Sequence, residues 1–178
     1  MNVSFVAADP DALDAISTMA RDIWLRHYHP DVLTLDEIEY FWHRMYRPEI
    51  LRTDMERGAV YEKILVGGTM VGFLSYVLDA TGTVSGRASE HRRMRFAKLY
   101  LLPEWHGQGL GAQALRYVQA RAHRLGVDQI DLYVFRKNTQ AVRAYLRAGF
   151  IIAREEKSYT EDGYCYDDYV MTWEVPDV

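Results

Sequence analysis

At 178 residues, 49% of them hydrophobic and 13% aromatic, the chain is long enough to bury a substantial core, and it holds no low-complexity tract, linker or solenoid-period repeat. Disorder and repeat architectures are therefore excluded, and one domain spanning residues 1–178 is expected. The net charge of −4 argues against nucleic acid as a partner, and the single cysteine, Cys165, excludes a disulfide framework or a multi-cysteine zinc cage.

Cysteine usage points to a reducing, cytoplasmic setting. The N-terminal stretch carries Asp9, Asp11 and Asp14 instead of a basic start and an apolar run, so no secretory signal is expected. No segment approaches the roughly 20 apolar residues of a membrane span, so no membrane partner is expected either. One basic run, Arg87, His91, Arg92, Arg93, Arg95 and Lys98, reads either as a solvated loop and strand edge or as charges facing the phosphates of a nucleotide-containing cofactor.

In chain order, residues 2–7 alternate as a short strand, and Asp9-Pro10 opens a helix running to about His27, with Asp9 as N-cap and proline at the first helical position. Thr34 with Glu37 three residues later forms a capping box ahead of Ile38, Phe41, Trp42 and Met45 at helical spacing, and Pro48 is expected to break that helix. Residues 60–66 and 70–78 flank Gly67-Gly68 as a hairpin, residues 80–90 read as a loop, and 92–102 as a long strand closed by Pro103. Leu110, Ala114, Leu115, Val118, Ala122 and Leu125 line one helical face before Gly126. A strand at 129–135, a helix capped by Asn138 and ended by Gly149, a strand at 150–154, an Asp162-Gly163 turn and a last strand at 164–173 complete the pattern. This order gives an α/β (α+β) fold: a mixed, mostly antiparallel sheet of about six to seven strands with helices on both faces.

The stretch Leu99-Tyr100-Leu101-Leu102-Pro103-Glu104-Trp105-His106-Gly107-Gln108-Gly109-Leu110-Gly111-Ala112 is a strand, a short loop and a helix start. Glycines here let anionic oxygens approach the unpaired N–H groups and positive dipole end of a helix. A P-loop would need Gly-Lys-Ser/Thr where Gly111-Ala112-Gln113 stands. A dinucleotide fingerprint would need its glycines directly after the strand and an acid at the end of the next one; residues 103–106 intervene, and Asp128 and Asp131 sit at the next strand's start. The stretch resembles motif A of the GNAT superfamily of acyl-CoA-dependent N-acetyltransferases, with Gly109 and Gly111 on the pattern and His106 at its Arg/Gln position. Asn138, Ala141, Tyr145 and Gly149-Phe150 are similar to the family's motif B. A weaker resemblance links the N-terminal helices to bacterial polyamine N-acetyltransferases.

The resemblance implies acetyl-CoA as donor co-substrate, with no metal. The backbone of Leu99, Tyr100 and Leu101 would pair with the pantetheine arm like an added strand. The segment His106, Gly107, Gln108, Gly109, Leu110, Gly111 and Ala112 would hold the pyrophosphate, Asn138 would lie near the thiol end, and Tyr145 would protonate the departing thiolate. Asn138 also reads as a plain N-cap, and Tyr145 as a packed helix aromatic.

An alkyl ammonium must lose a proton before it attacks, and residues 92–102 contain no carboxylate to take it. Glu104, Tyr133 and the group His27, Tyr28 and His29 are the candidate bases. Trp24, Tyr28 and His29 are candidate acceptor contacts, within acidic and aromatic segments at 23–50 and 158–168 that suit a cationic amine. The expected function is acetyl transfer to a primary amine, a small cationic amine or polyamine favoured. Peptide or protein N-terminal acetylation, and a non-catalytic acetyl-CoA sensor, stand as alternatives; a homodimer is compatible with all three.

Overall fold

The computed structural model describes residues 2–79, 82–84, 87–89 and 92–176. Its elements are β1 (Val3–Ala7), a 3-10 turn at Pro10–Ala12, α1 (Leu13–His27), α2 (Leu35–Met45), α3 (Pro48–Glu56), β2 (Ala59–Val66), β3 (Thr69–Asp79), β4 (Gly82–Val84), β5 (Arg87–Ser89) and β6 (Arg93–Leu101). A second 3-10 turn at Pro103–Trp105 leads to α4 (Leu110–Arg124), β7 (Gln129–Phe135), α5 (Thr139–Arg147), β8 (Ile151–Tyr159) and β9 (Cys165–Glu174). Seven strands hydrogen-bond in the order β1-β2-β3-β6-β7-β9-β8, the mixed and mostly antiparallel sheet expected, and β4 pairs with β5 separately.

Local chemistry explains most element ends. Asp9 caps the first 3-10 turn through the Ala12 N–H, and Thr34 and Glu37 make a reciprocal capping box at α2. Three expectations need correction. Pro48 starts α3 instead of ending α2: proline lacks the N–H that an inner helical position needs but fits the first position, and Arg47 before it is extended (ψ 144°) as a following proline demands. Part of the expected 80–90 loop is the β4–β5 hairpin, in register from Gly82 opposite Ser89 to Val84 opposite Arg87. The strand expected at 150–154 runs to Tyr159, its charged centre being tolerated because β8 is the sheet's edge and nearly all of it is exposed.

The chain divides into two compact units, Met1–Tyr76 with Lys98–Leu110, and Val77–Ala97 with Gly111–Val178. In the first, Leu13, Ile16, Ile23, Ile38, Leu51, Tyr61, Ile64, Phe73 and Leu74 are 2% exposed or less. Gly72 is required where β3 meets β6, because a Cβ there would strike the Tyr100 carbonyl oxygen. In the second unit, Ile130, Leu132 and Val134 alternate inward on β7 while Ala114, Leu115, Val118 and Ala122 form the buried face of α4. Each such large apolar side chain contributes on the order of 1.5–3 kcal/mol. Gln119 Nε2 donates to the Ala148 carbonyl at 2.8 Å, tying α4 to the end of α5.

No helix among the described residues is long and apolar enough to cross a membrane. No group of three or more His, Cys, Asp or Glu among them is placed to hold a metal ion.

Candidate functional site

The β6–β7 ladder is parallel and covers only Arg93–Arg95 opposite Gln129–Asp131, whereas β6 continues to Leu101. Beyond Leu101 the chain makes its 3-10 turn, leaves His106 extended, and crosses Gly107 (φ 73°) and Gly109 (φ 79°) into α4. Both glycines hold a left-handed backbone that an L side chain resists, and a Cβ at either would meet nothing within 4 Å. The backbone is thus laid bare at a helix start that carries no acidic residue in its first turn. Leu110 is buried at 1% exposure and anchors the helix start; Gly111 is half-buried and Ala112 exposed.

Side chains of this loop turn back upon it. His106 Nε2 lies 2.9 Å from the Leu101 carbonyl oxygen, which only accepts, so the proton sits on Nε2 and is donated. Gln108 Nε2 donates to the Glu104 carbonyl at 2.9 Å. The His106 ring stands edge-on to His27 at 5.3 Å, and burial first, then His106, pushes His27 below the usual imidazole range. The Glu104 carboxylate accepts from Arg26 Nη2 at 2.7 Å, and Arg26 also binds Asp22. Its own backbone N–H and Arg26 hold Glu104 below the usual carboxylate range, which makes it a weaker base.

Trp24 and Tyr28, each 8% exposed, are interior to an aromatic cluster, while His29 is exposed. Trp24 lies 5.3 Å from Tyr28, 5.4 Å from Tyr46 and 6.4 Å from Tyr100, centroid to centroid. Of the acidic residues in the segments expected to attract a cation, several are already engaged: Glu37 in its capping box, Glu39 with Arg21, Glu49 with Arg47 and Asp167 with Arg136.

In the second unit, Asn138 Oδ1 accepts from Ala141 N at 3.1 Å, so Asn138 is the N-cap of α5. Tyr145, on the last turn of α5, packs its ring against Phe150 at 5.8 Å, and Gly149 (φ 91°) leaves room for Trp173 beside them. Burial pushes the Tyr145 phenol well up, so it stays protonated at neutral pH, and its hydroxyl makes no hydrogen bond among the described residues. Tyr133 is 38% exposed on β7, with Arg95 over its ring at 5.4 Å and Arg154 Nη2 3.4 Å from its hydroxyl.

The basic run does not form one patch. Arg92 Nη1 caps the end of α4 through the Leu125 carbonyl at 2.7 Å, Arg93 pairs with Asp131, Arg95 covers Tyr133 and Lys98, half-buried, pairs with Asp54; the Arg87 side chain and His91 lie outside the described residues. Sequence reasoning placed Lys98 only in the basic run, and it missed the Lys98–Asp54 pair and the bond between the Tyr46 and Tyr100 hydroxyls. The signal was there for Lys98, which shares its strand face with the buried Met94 and Phe96.

Comparison with known proteins gives these arrangements a context. Over 86 residues the chain is 35% identical to an uncharacterised N-acetyltransferase of Mycobacterium tuberculosis, covering 48% of this chain and 54% of that one. It is 33% identical over 96 residues to a mycothiol acetyltransferase of Propionibacterium freudenreichii, covering 52% of this chain and 27% of that one. The chain thus spans about half the length, or less, of the curated relatives it matches. Its fold superposes with a TM-score of 0.74 on the PaiA N-acetyltransferase of Thermoplasma acidophilum, solved with coenzyme A, at 20% identity over 98% of this chain and 99% of that one. Residues 18–150, most of the chain, match the model of the acetyltransferase (GNAT) family, and on that match the chain belongs to the GNAT acetyltransferases.

Proposed function

We propose that residues 1–178 act as one N-acetyltransferase domain that moves the acetyl group of acetyl-CoA to a primary amine. The observation that carries this reading is the bare, left-handed backbone at Gly107 and Gly109 leading into an acid-free helix start, in a chain of this family. Amides of residues 107–112 hold the pyrophosphate, and the β6 backbone at Leu99, Tyr100 and Leu101, past the last ladder partner on β7, takes the pantetheine arm as an added strand. His106 serves this site by fixing the loop to Leu101. Asn138 lies towards the thiol end while capping α5.

The amine nitrogen attacks the thioester carbon, the C–S bond breaks, and the thiolate takes the Tyr145 proton; the surplus proton on nitrogen leaves to a base or to water. Burial keeps the Tyr145 hydroxyl protonated, so it has a proton to give, and at the same time makes it a weaker acid than a solvated phenol. Of the base candidates, Glu104 is engaged by Arg26, and Tyr133 and the group His27, Tyr28 and His29 stay as candidates. Asp31, Asp36, Glu161 and Asp162, all exposed, support a small cationic amine or polyamine as acceptor. A cytoplasmic setting goes with this reading.

The test has two parts. In thermal melts acetyl-CoA should raise the midpoint by mass action, and NAD should leave it where it is. A coenzyme A release assay over putrescine, spermidine, a neutral-chain amine and short peptides then identifies the acceptor. Stabilisation by NAD equal to that by acetyl-CoA would overturn the reading, and turnover of peptides alone would replace the small amine by a polypeptide N-terminus.

A further inference from the structure

Two imidazoles meet beside the glycine loop of the first unit. His106 is held from two sides: its Nε2 donates to the Leu101 carbonyl at 2.9 Å, and its ring stands edge-on to His27 on α1 at 5.3 Å. That bond leaves Nδ1 as the atom that gains a proton when the ring charges, and the tie to Leu101 survives the change. His106 makes no ion pair among the described residues, and the carboxylate facing it, Glu104, is taken by Arg26 at 2.7 Å. A charge on His106 is therefore left for whatever sits on the next residue, the bare left-handed backbone of Gly107 (φ 73°). His106 also stands at the arginine-or-glutamine position of the motif pattern, so a ring that titrates replaces side chains whose charge is constant near neutral pH.

We propose that His106, tied to Leu101 and flanked by His27, takes up a proton when the pyrophosphate of acetyl-CoA settles on the backbone of residues 107–109, so that coenzyme affinity rises as pH falls from about 8 to about 6. The proposal rests on the acetyl-transfer reading above and names a pH control of that same coenzyme site. Solvent supplies the proton, and no other bond is made or broken. An anion beside an imidazole favours its charged form, and by linkage the charged form favours the anion to the same degree. His27 holds the uptake to a single proton: two imidazolium rings at this distance repel, and burial already disfavours charge on His27. The titratable and charged groups facing the pair are Glu104 from the 3-10 turn, Arg26 from α1 through Glu104, and Tyr28, edge-on to His27 at 4.9 Å.

Calorimetry with acetyl-CoA in buffers of different ionisation heat counts the protons bound by the intact chain, His106→Gln, His106→Arg and His27→Gln, with melts to confirm that each is folded. Glutamine keeps an N–H for the Leu101 carbonyl but never charges, and arginine charges at every pH. The coenzyme's own phosphate monoester titrates near pH 6, and its contribution cancels between parent and variant. From about pH 8 to about pH 6 the parent should gain affinity about two- to five-fold over His106→Gln, the reach of one partly exposed charge pair. His106→Arg should lack the extra proton uptake as well, and His27→Gln should keep it. Uptake by every folded His106 variant equal to that of the parent, or uptake lost in His27→Gln and kept in His106→Gln, would overturn the proposal while leaving acetyl transfer standing. Absence of acetyl-CoA binding by the unsubstituted chain at every pH would overturn both.

Discussion

Asp168→Asn should make the protein more stable at neutral pH. Asp168 stands on β9 directly between Phe135 on β7 and Glu156 on β8, and no hydrogen bond or cation among the described residues offsets its charge. Burial, then Asp167 and Glu156, pushes its carboxyl from 3.8 up to about 6. That difference is about 2 pH units, which at about 1.36 kcal/mol each caps the effect near 3 kcal/mol. The folded state holds this proton more tightly than the unfolded chain. The stabilisation is therefore complete below about pH 4 and is lost as pH rises through about 6. Asparagine keeps the shape and removes the charge, and because Asp168 is only half-buried, solvent screening discounts that ceiling: Asp168→Asn should exceed the parent by about 1–2 kcal/mol near pH 8 and match it near pH 4. Urea denaturation across that range reads the difference directly. A gain that is the same at every pH, or no gain near pH 8, would refute the desolvated-carboxylate account.

Tyr145→Phe should lower turnover by about ten-fold or more with acetyl-CoA affinity nearly unchanged, since the ring still packs on Phe150 while the acid is gone; single-turnover kinetics checks this. Gly72→Ala should cost about 1–3 kcal/mol or more in denaturant melts, because the new methyl collides with the Tyr100 carbonyl and comes within 2.7 Å of Leu101 Cδ2. If exposed acids draw the acceptor in, the advantage of putrescine over a neutral amine should shrink as salt rises past about 0.15 M, where the screening length is about 8 Å. Competition assays at several ionic strengths would show it, and a flat ratio would leave those acids as ordinary surface.

The features legible in the sequence were those decided within a few residues. Asn138 and Gly149 bound α5 because a cap and a left-handed exit are local chemistry, and the Thr34–Glu37 box likewise fixes α2. The strand, turn and helix around Gly107 and Gly109 followed from the same kind of reasoning. Pro48 misled because proline stops a helix or starts one depending on position, and the neighbouring residues do not say which. What stayed hidden depends on partners far apart in the chain: Arg26 reaches Glu104 across 78 positions, and Tyr46 reaches Tyr100 across 54. Only the fold reveals that Glu104 is engaged and that two tyrosine hydroxyls are joined.

The strand at the sheet's edge bears on how the protein keeps apart from its neighbours at high concentration. An edge of nine extended residues is a template on which another chain's backbone could add, the first step towards filaments. Here the register slips between Ile152 and Arg154, and Arg154, Glu155, Glu156 and Lys157 follow in succession. An incoming strand would have to match that irregularity and bury four charges, two of them held sideways by Arg136 and by Arg154 itself. Charges that look wasteful in a strand thus act as a guard, letting exposed Ile151, Ile152 and Tyr159 remain at the surface without becoming a seed for aggregation.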